Sequence, residues 1–200
     1  MSKLTLKSGV LSLIALFVPT HAFALLIDFE GLADGTVITD QYSGVTFSAN
    51  TGFENQITSQ IGGLGDNFIC TAAVGESINC TEETILTFDA LVNNLSFWQV
   101  GVNDAGVVGL VDVFENGLLS STVNLIGYSE PYIPSLVDLT SFSNVSSIRI
   151  HGITDAYGIG WDNFEFEVAS VPEPSIIALL SLGLIGIGVA RRKNHITIKS

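Results

Sequence analysis

The chain has 200 residues and a formal net charge of −13, from 20 acidic and 7 basic side chains. A field of that sign repels nucleic acid and anionic membrane surfaces, which excludes polyanion-binding functions. Two cysteines and three histidines leave little material for a dedicated thiol or transition-metal centre.

At the N-terminus Lys3 and Lys7 give a positive start, and Val10 to Val18 form an apolar stretch broken only by Ser12. Ala22-Phe23-Ala24 then supplies the small-x-small pattern of a signal-peptidase site. Residues 1–24 are expected to be a signal peptide, with signal peptidase as a partner during export and the mature chain starting at Leu25. The following segment, residues 25–170, is long enough for one hydrophobic core and too short for two. Nineteen of the acids but only one cation, Arg149, fall inside it, so this domain carries −18 and has no lysine. Most of those carboxylates read as a solvated surface, and divalent cations are the charged partners such a surface would attract.

Nowhere in residues 25–170 do apolar residues recur at helical spacing for three turns. Short alternating runs separated by Gly, Asn, Asp or Pro predict strands instead. The candidates are Leu25–Glu30, Gly44–Ala49, Phe68–Cys70, Glu83–Phe88, Asn94–Val100, Val107–Glu115, Ser121–Ile126, Pro134–Leu139, Ser146–Gly152 and Gly160–Val168. Asn116-Gly117 is a hairpin-turn signal between two of them. In the last run Phe164, Phe166 and Val168 share one face, and Asn163, Glu165 and Glu167 the other. Ile148 and Ile150 likewise oppose Arg149 and His151. One wet and one greasy face per strand predicts an all-β domain, a two-sheet jelly-roll β-sandwich. Cys70 and Cys80 are the only cysteines. In an exported protein they are expected to form a disulfide that staples a hairpin or loop.

Catalytic signals are weak. A Ser-His-Asp or Cys-His arrangement within the domain would have to use His151, which stands on a strand beside Arg149 with no nucleophile elbow and no free thiol. No Gly-rich phosphate loop opens a helix. Nineteen acids supply many carboxylate pairs for glycoside hydrolysis, but nothing marks one pair. The chain is read as non-enzymatic, with His151 a surface histidine.

The C-terminus departs from all of this. Val171-Pro172-Glu173-Pro174-Ser175 ends the folded domain, because two prolines continue neither strand nor helix. An uncharged apolar run, 175–190, follows and ends at Arg191-Arg192-Lys193. As a helix that run spans about 24 Å, short of the roughly 30 Å hydrocarbon core, with the cations on the cytoplasmic side. The layout is a marginal transmembrane helix with a marked site just outside it.

This layout resembles the PEP-CTERM sorting signal of Gram-negative, exopolysaccharide-producing bacteria. The matching residues are Val171, Pro172, Glu173 and Pro174, the glycine-punctuated helix with Gly183, Gly186 and Gly188, and the basic stop Arg191, Arg192 and Lys193. The resemblance covers residues 171–200, with a basic tail 191–200 that is slightly long for the family. It implies recognition by an exosortase, which removes the tail and passes the protein to the cell surface or extracellular matrix. The membrane would then hold the chain only through its C-terminal helix before processing. A permanent C-terminal anchor is the alternative.

A second, shorter resemblance involves Leu26-Ile27-Asp28-Phe29-Glu30-Gly31, Thr84-Ile85-Leu86-Thr87-Phe88-Asp89 with Asn94-Leu95-Ser96-Phe97, and Gly160-Trp161-Asp162-Asn163-Phe164. These look like strands of carbohydrate-binding-module-like jelly rolls. The resemblance implies that the first and last strands lie side by side. It also implies that Glu30 and Asp162 share one structural Ca²⁺, whose six to eight oxygens would include backbone carbonyls. Asp28 is set aside because it alternates with the neighbours of Glu30. Such modules stack sugar rings on exposed aromatics. Trp98 and Trp161 are candidates here. Tyr128, Tyr132 and Tyr157, in loop-like sequence, are the preferred ligand-binding residues. Two functions follow: an exported module that binds carbohydrate such as exopolysaccharide, or a structural matrix protein without a sugar ligand.

Overall fold

The computed structural model describes residues 24–59, 64–76, 79–128 and 133–169. The described residues form ten strands and no helix. These are β1 (Ala24–Ile27), β2 (Val45–Ala49), β3 (Phe53–Thr58), β4 (Phe68–Ala73), β5 (Thr84–Val100), β6 (Gly106–Glu115), β7 (Leu118–Gly127), β8 (Ser135–Asp138), β9 (Val145–His151) and β10 (Gly160–Val168). The expected signal peptide and C-terminal helix lie outside the described residues. Among those described, no helix is long and apolar enough to cross a membrane.

All ten strands belong to one antiparallel sheet, ordered β3-β4-β10-β5-β9-β6-β7, with β1 on β10 and both β2 and β8 on β5. The expectation of two separate sheets is corrected here, and the cause is β5. The runs Glu83–Phe88 and Asn94–Val100, expected as two strands, are halves of one. Its first half pairs with β2 and β9; its second pairs with β8 and β10. Phe47 of β2 lies across from Leu86, and Phe164 of β10 stacks on Phe97. In a straight strand Leu86 and Phe97 would be about 36 Å apart. Yet the Phe47 and Phe164 rings meet edge to face at 5.8 Å. So β5 bends sharply, around exposed Asp89 and Ala90 where its register with β9 slips, and folds the sheet into two facing layers.

The core lies between those layers. Phe29, Phe47, Phe97, Trp161, Phe164 and Phe166 are all essentially inaccessible and meet mainly edge to face. The alternation read from sequence holds in β9 and β10: Ile148, Ile150, Phe164 and Phe166 are buried while Glu165 is exposed. Asn116 and Gly117 take φ of +50° and +81° between the paired Glu115 and Leu118, as a two-residue hairpin turn requires. The Cys70–Cys80 disulfide forms and sits in a small second core with Phe68, Ala72 and Val100. Gly158, at φ +81°, packs directly on the Cys80 backbone, where no side chain would fit.

The only arginine of the domain is spent inside the sheet. On the outer face of β6 and β9, Arg149 donates from Nη2 (2.6 Å) and Nε (3.1 Å) to Asp112, and its Nη1 lies 3.9 Å from Glu83. Thr122 Oγ1 donates to Asp112 Oδ1 at 2.6 Å, and His151 Nε2 lies 3.2 Å from Oδ2, the oxygen that Arg149 bonds. Burial pushes the Asp112 carboxyl up, but the hydrogen bonds from Thr122 and Arg149, with the nearby His151 ring, outweigh it and hold the group below its ordinary value. His151, expected as a plain surface residue, is thus a partly buried member of this ladder. Arg149→Met would leave Asp112 buried without its strongest donor. The expected loss is about 2 kcal/mol in urea unfolding, below the figure for a fully buried pair because Arg149 is partly exposed.

Candidate functional site

The strand pairing brings Glu30 and Asp162 to one corner. β1 pairs with β10 from Ala24↔Glu167 to Ile27↔Phe164, which carries the chain beyond β1 toward Asp162. Phe29 then takes φ +60° and buries its ring completely, turning Glu30 aside from the strand direction. In β10 the register shifts after Asp162, and Asn163 takes φ +46°. This bulge leaves Trp161 in the core, while Asp162 lies across from Trp98 on the opposite face.

Asp162 is fully buried there, and the 64–67 loop lies against it. Leu64 N–H donates to Asp162 Oδ2 at 3.1 Å, and Asn163 N–H donates to Oδ1 at 2.7 Å. Asn67 N–H donates to Glu30 Oε1 at 3.2 Å, and the Glu30 carboxylate fills the space beside Gly65 that a side chain would need. Asn67 anchors the loop: its Nδ2 donates to Phe29 O at 3.1 Å and Leu32 O at 2.9 Å, and its Oδ1 accepts from Ser59 Oγ. Burial raises the Asp162 pKa from 3.8 to about 6, against the lowering effect of its two backbone donors, and the charges of Glu30 and Asp28 raise it further. The corner therefore holds a buried carboxylate in the field of two others. Among the described residues no three acidic, histidine or cysteine side chains group closely enough to hold a metal ion. A cation here would depend on Glu30 and Asp162 with backbone carbonyls, a donor set of hard oxygens that suits Ca²⁺.

The aromatic candidates are dispersed. Trp161 is withdrawn into the core, 1% exposed, which removes it as a stacking surface. Trp98 is half-buried on the outer face, beside exposed Leu136 of β8. Tyr128 and Tyr157 are 57% and 71% exposed; Tyr132 lies outside the described residues. The backbones next to Tyr128 and Tyr157 pack on the same turn, residues 101–106. Asp155 Oδ2 accepts from Asn103 N–H (2.9 Å) and Asp104 N–H (3.2 Å), and the Asp104 carbonyl abuts Gly127. Both tyrosines therefore stand on segments that meet this one turn. Asn67, Gly65 and Asp155 were not among the expected site residues; only the Asn-rich and Gly-rich character of their loops hinted at them.

Residues 170–193 match a protein-family model described as the PEP-CTERM protein-sorting motif. The chain carries this sorting signal. The match spans Val171, Pro172, Glu173 and Pro174 as well as Arg191, Arg192 and Lys193. The motif implies exosortase-dependent export, with the exosortase as processing partner and a surface or extracellular destination. No curated protein matches the chain. Among solved structures, the CBM22-1 xylan-binding domain of Paenibacillus barcinonensis Xyn10C is similar at 14% identity and a TM-score of 0.44, over 77% of this chain and 99% of that one. An isomalto-dextranase of Arthrobacter globiformis, complexed with panose, gives 16% and 0.35, over 74% of this chain and 33% of that one. A cleaved adhesin domain of Lys-gingipain from Porphyromonas gingivalis gives 15% and 0.33, over 74% of this chain and 99% of that one.

Proposed function

We propose that the mature protein is a non-catalytic, carbohydrate-binding component of the cell surface or extracellular matrix, with one Ca²⁺ at the Glu30–Asp162 corner. The observation that carries the sugar reading is the pair Tyr128 and Tyr157, both exposed and each next to a segment that meets the 101–106 turn with its Asn103 and Asp104. Exposed tyrosine rings offer flat apolar faces for sugar C–H groups, while Asn103 and Asp104 beside them can hydrogen-bond hydroxyls. Nothing in this arrangement requires a nucleophile or a general base. His151, which a catalytic triad would need, stands with its Nε2 3.2 Å from Asp112 Oδ2.

The test is binding of the protein to a panel of bacterial exopolysaccharides and plant polysaccharides, compared with Tyr128→Ala/Tyr157→Ala. Loss of two stacking platforms is expected to weaken binding at least tenfold, about 1 kcal/mol or more per ring, with the melting temperature unchanged. Equal retention of variant and parent would discard these residues. A structural role without a sugar ligand is the second reading, favoured by the withdrawal of Trp161 into the core. Failure of every polysaccharide in the panel would leave that one standing.

A further inference from the structure

We infer that the end of the domain bearing Leu118, Leu119 and Val168 seats on the bilayer that holds its own C-terminal tail. The contact is apolar and made with lipids of no net charge. It rests on reading residues 175–190 as a membrane helix and is independent of sugar binding. The backbone fixes which end faces the membrane. β10 stays in the sheet to its last residue, with Val168 paired to Val92, and Ala169 N–H donates to Leu91 O at 2.7 Å. Only residues 170–174 separate that bond from the apolar run. Five residues reach at most about 17 Å, of which the headgroup layer takes about 6 Å. The exit of β10 therefore stays close to the headgroups while the tail is attached. The chain also enters the sheet here, since Ala24 lies opposite Glu167, so the apolar stretch 10–18 leads to the same end.

The hairpin of β6 and β7 turns at that end too. One row crosses the sheet from Val168 to Val92, Val145, Glu115 and Leu118. Its ladder steps of about 4.8 Å put Leu118 within about 19 Å of Val168, and the bend in β5 shortens the distance. Leu118 is 76% exposed, more than any other large apolar side chain among the described residues. Leu119 and Val168 are exposed as well. A hairpin tip can dip its side chains into the interfacial layer without breaking a ladder bond, and gains by taking them out of water. The strand then points away from the lipid, so Tyr128, just past the far end of β7, stands about 30 Å off the seat.

Charge selects the kind of lipid. The acids nearest the row are tied back to the sheet: Glu115 accepts from Ser120 Oγ and Ser143 N–H, and Glu167 from Asn94 Nδ2. Asp89 stays exposed at the bend of β5, and the one cation of the domain, Arg149, is bonded to Asp112. This end therefore offers leucine and valine with a residual negative charge, which fits zwitterionic headgroups and opposes anionic ones.

The experiment uses the full chain in phosphatidylcholine vesicles containing a photoreactive phosphatidylcholine, with cross-links mapped along the chain. The apolar tail is expected to label and serves as the internal standard. Val74 is the control, because it is 65% exposed and equally apolar but lies at the opposite end, beyond β4, which runs antiparallel to β10. Residues 116–119 are expected to label about fivefold or more above Val74. Leu118→Asn should lower that labelling about fivefold, and Leu118→Trp should raise it, as an interface-seeking side chain does. Tail labelling and melting temperature should be unchanged in both. Phosphatidylglycerol added to the vesicles should weaken hairpin labelling at low salt, and high salt should restore it. Labelling of 116–119 no stronger than that of Val74 would overturn the proposal. So would labelling that falls as protein is crowded into the same lipid, since a second copy would then cover the leucines. An unlabelled tail would remove the tether and overturn it equally.

Discussion

Trp161→Ala is expected to cost about 4 kcal/mol of unfolding free energy, within the range for deleting a large buried aromatic and a large share of what a domain of this size has. Two independent losses contribute. The ring meets Phe97 edge to face at 5.8 Å and fills the junction between β10 and β5. Its Nε1 also donates to Thr84 Oγ1 at 3.0 Å, which begins a buried chain of polar groups. Thr84 Oγ1 bonds to Thr71 Oγ1, and Thr71 in turn to Asn55 Oδ1, so that β10, β5, β4 and β3 are tied through the interior. Trp161→Phe keeps most of the packing and removes only the donor, so the expected cost is about 1–2 kcal/mol. Urea unfolding followed by far-ultraviolet circular dichroism measures both. A loss under 1 kcal/mol for Trp161→Ala would show that the ring does not occupy this junction. The pair also separates folding from binding, since Trp161→Phe should leave polysaccharide binding intact.

Local features of this fold were legible in the sequence. The Asn116-Gly117 turn and the alternation of β9 and β10 depend on neighbours in the chain, and both hold. β3 was not legible. Phe53-Glu54-Asn55-Gln56-Ile57-Thr58 places Asn and Gln where an inward strand residue should be apolar, yet Asn55 and Gln56 are buried. Their partners, Thr71 Oγ1 and the Glu76 carbonyl, lie 16 and 20 residues away, beyond any local pattern. The bend in β5 was hidden for a related reason. Asp89-Ala90 carries no glycine or proline to mark a corner, and only the two sets of strand partners reveal that the chain turns there. At the acidic corner the sequence offered Glu30 and Asp162 through a resemblance to the ends of known jelly rolls, and the structure does bring them together. What holds them, the Leu64 N–H on buried Asp162 and the Asn67 N–H on exposed Glu30, comes from a loop 98 residues from Asp162 and 37 from Glu30, and nothing near either acid announced it. Trp161 shows the converse. It was a candidate exposed aromatic for stacking a sugar ring, whereas the bulge at Asn163 leaves it in the core.

The pH dependence of stability should change sign when calcium is added, and Asp162 should be the cause. Its pKa in the folded protein is raised to about 6 from 3.8. Above pH 6 the group is ionised in both states, and burial of its charge costs at most about 3 kcal/mol, less to the extent that water penetrates the corner. As pH falls from 6 to 4 the folded protein takes up the proton first, so this cost is relieved and the group's contribution makes the protein more stable. Asp112 acts in the opposite sense, but its pKa is lowered, so its contribution is lost only below about pH 4 and does not overlap this window. In the presence of a chelator the melting temperature difference between the parent and Asp162→Asn should therefore shrink or reverse in the parent's favour from pH 6.5 to 4.5. Calcium bound by Glu30 and Asp162 requires the ionised form. At a hundredfold excess over its dissociation constant it should add about 2.7 kcal/mol at pH 7, several degrees of melting temperature, and that gain should fade as pH drops below 6. Asp162→Asn should remove both the gain and the pH slope, while Asp138→Asn, an exposed carboxyl on β8 on the other side of β5, should remove neither. If excess calcium leaves the melting temperature of the parent unchanged at pH 7, the corner holds no calcium. The pH slope in chelator would still stand, because it depends only on a buried carboxylate facing Glu30 and Asp28.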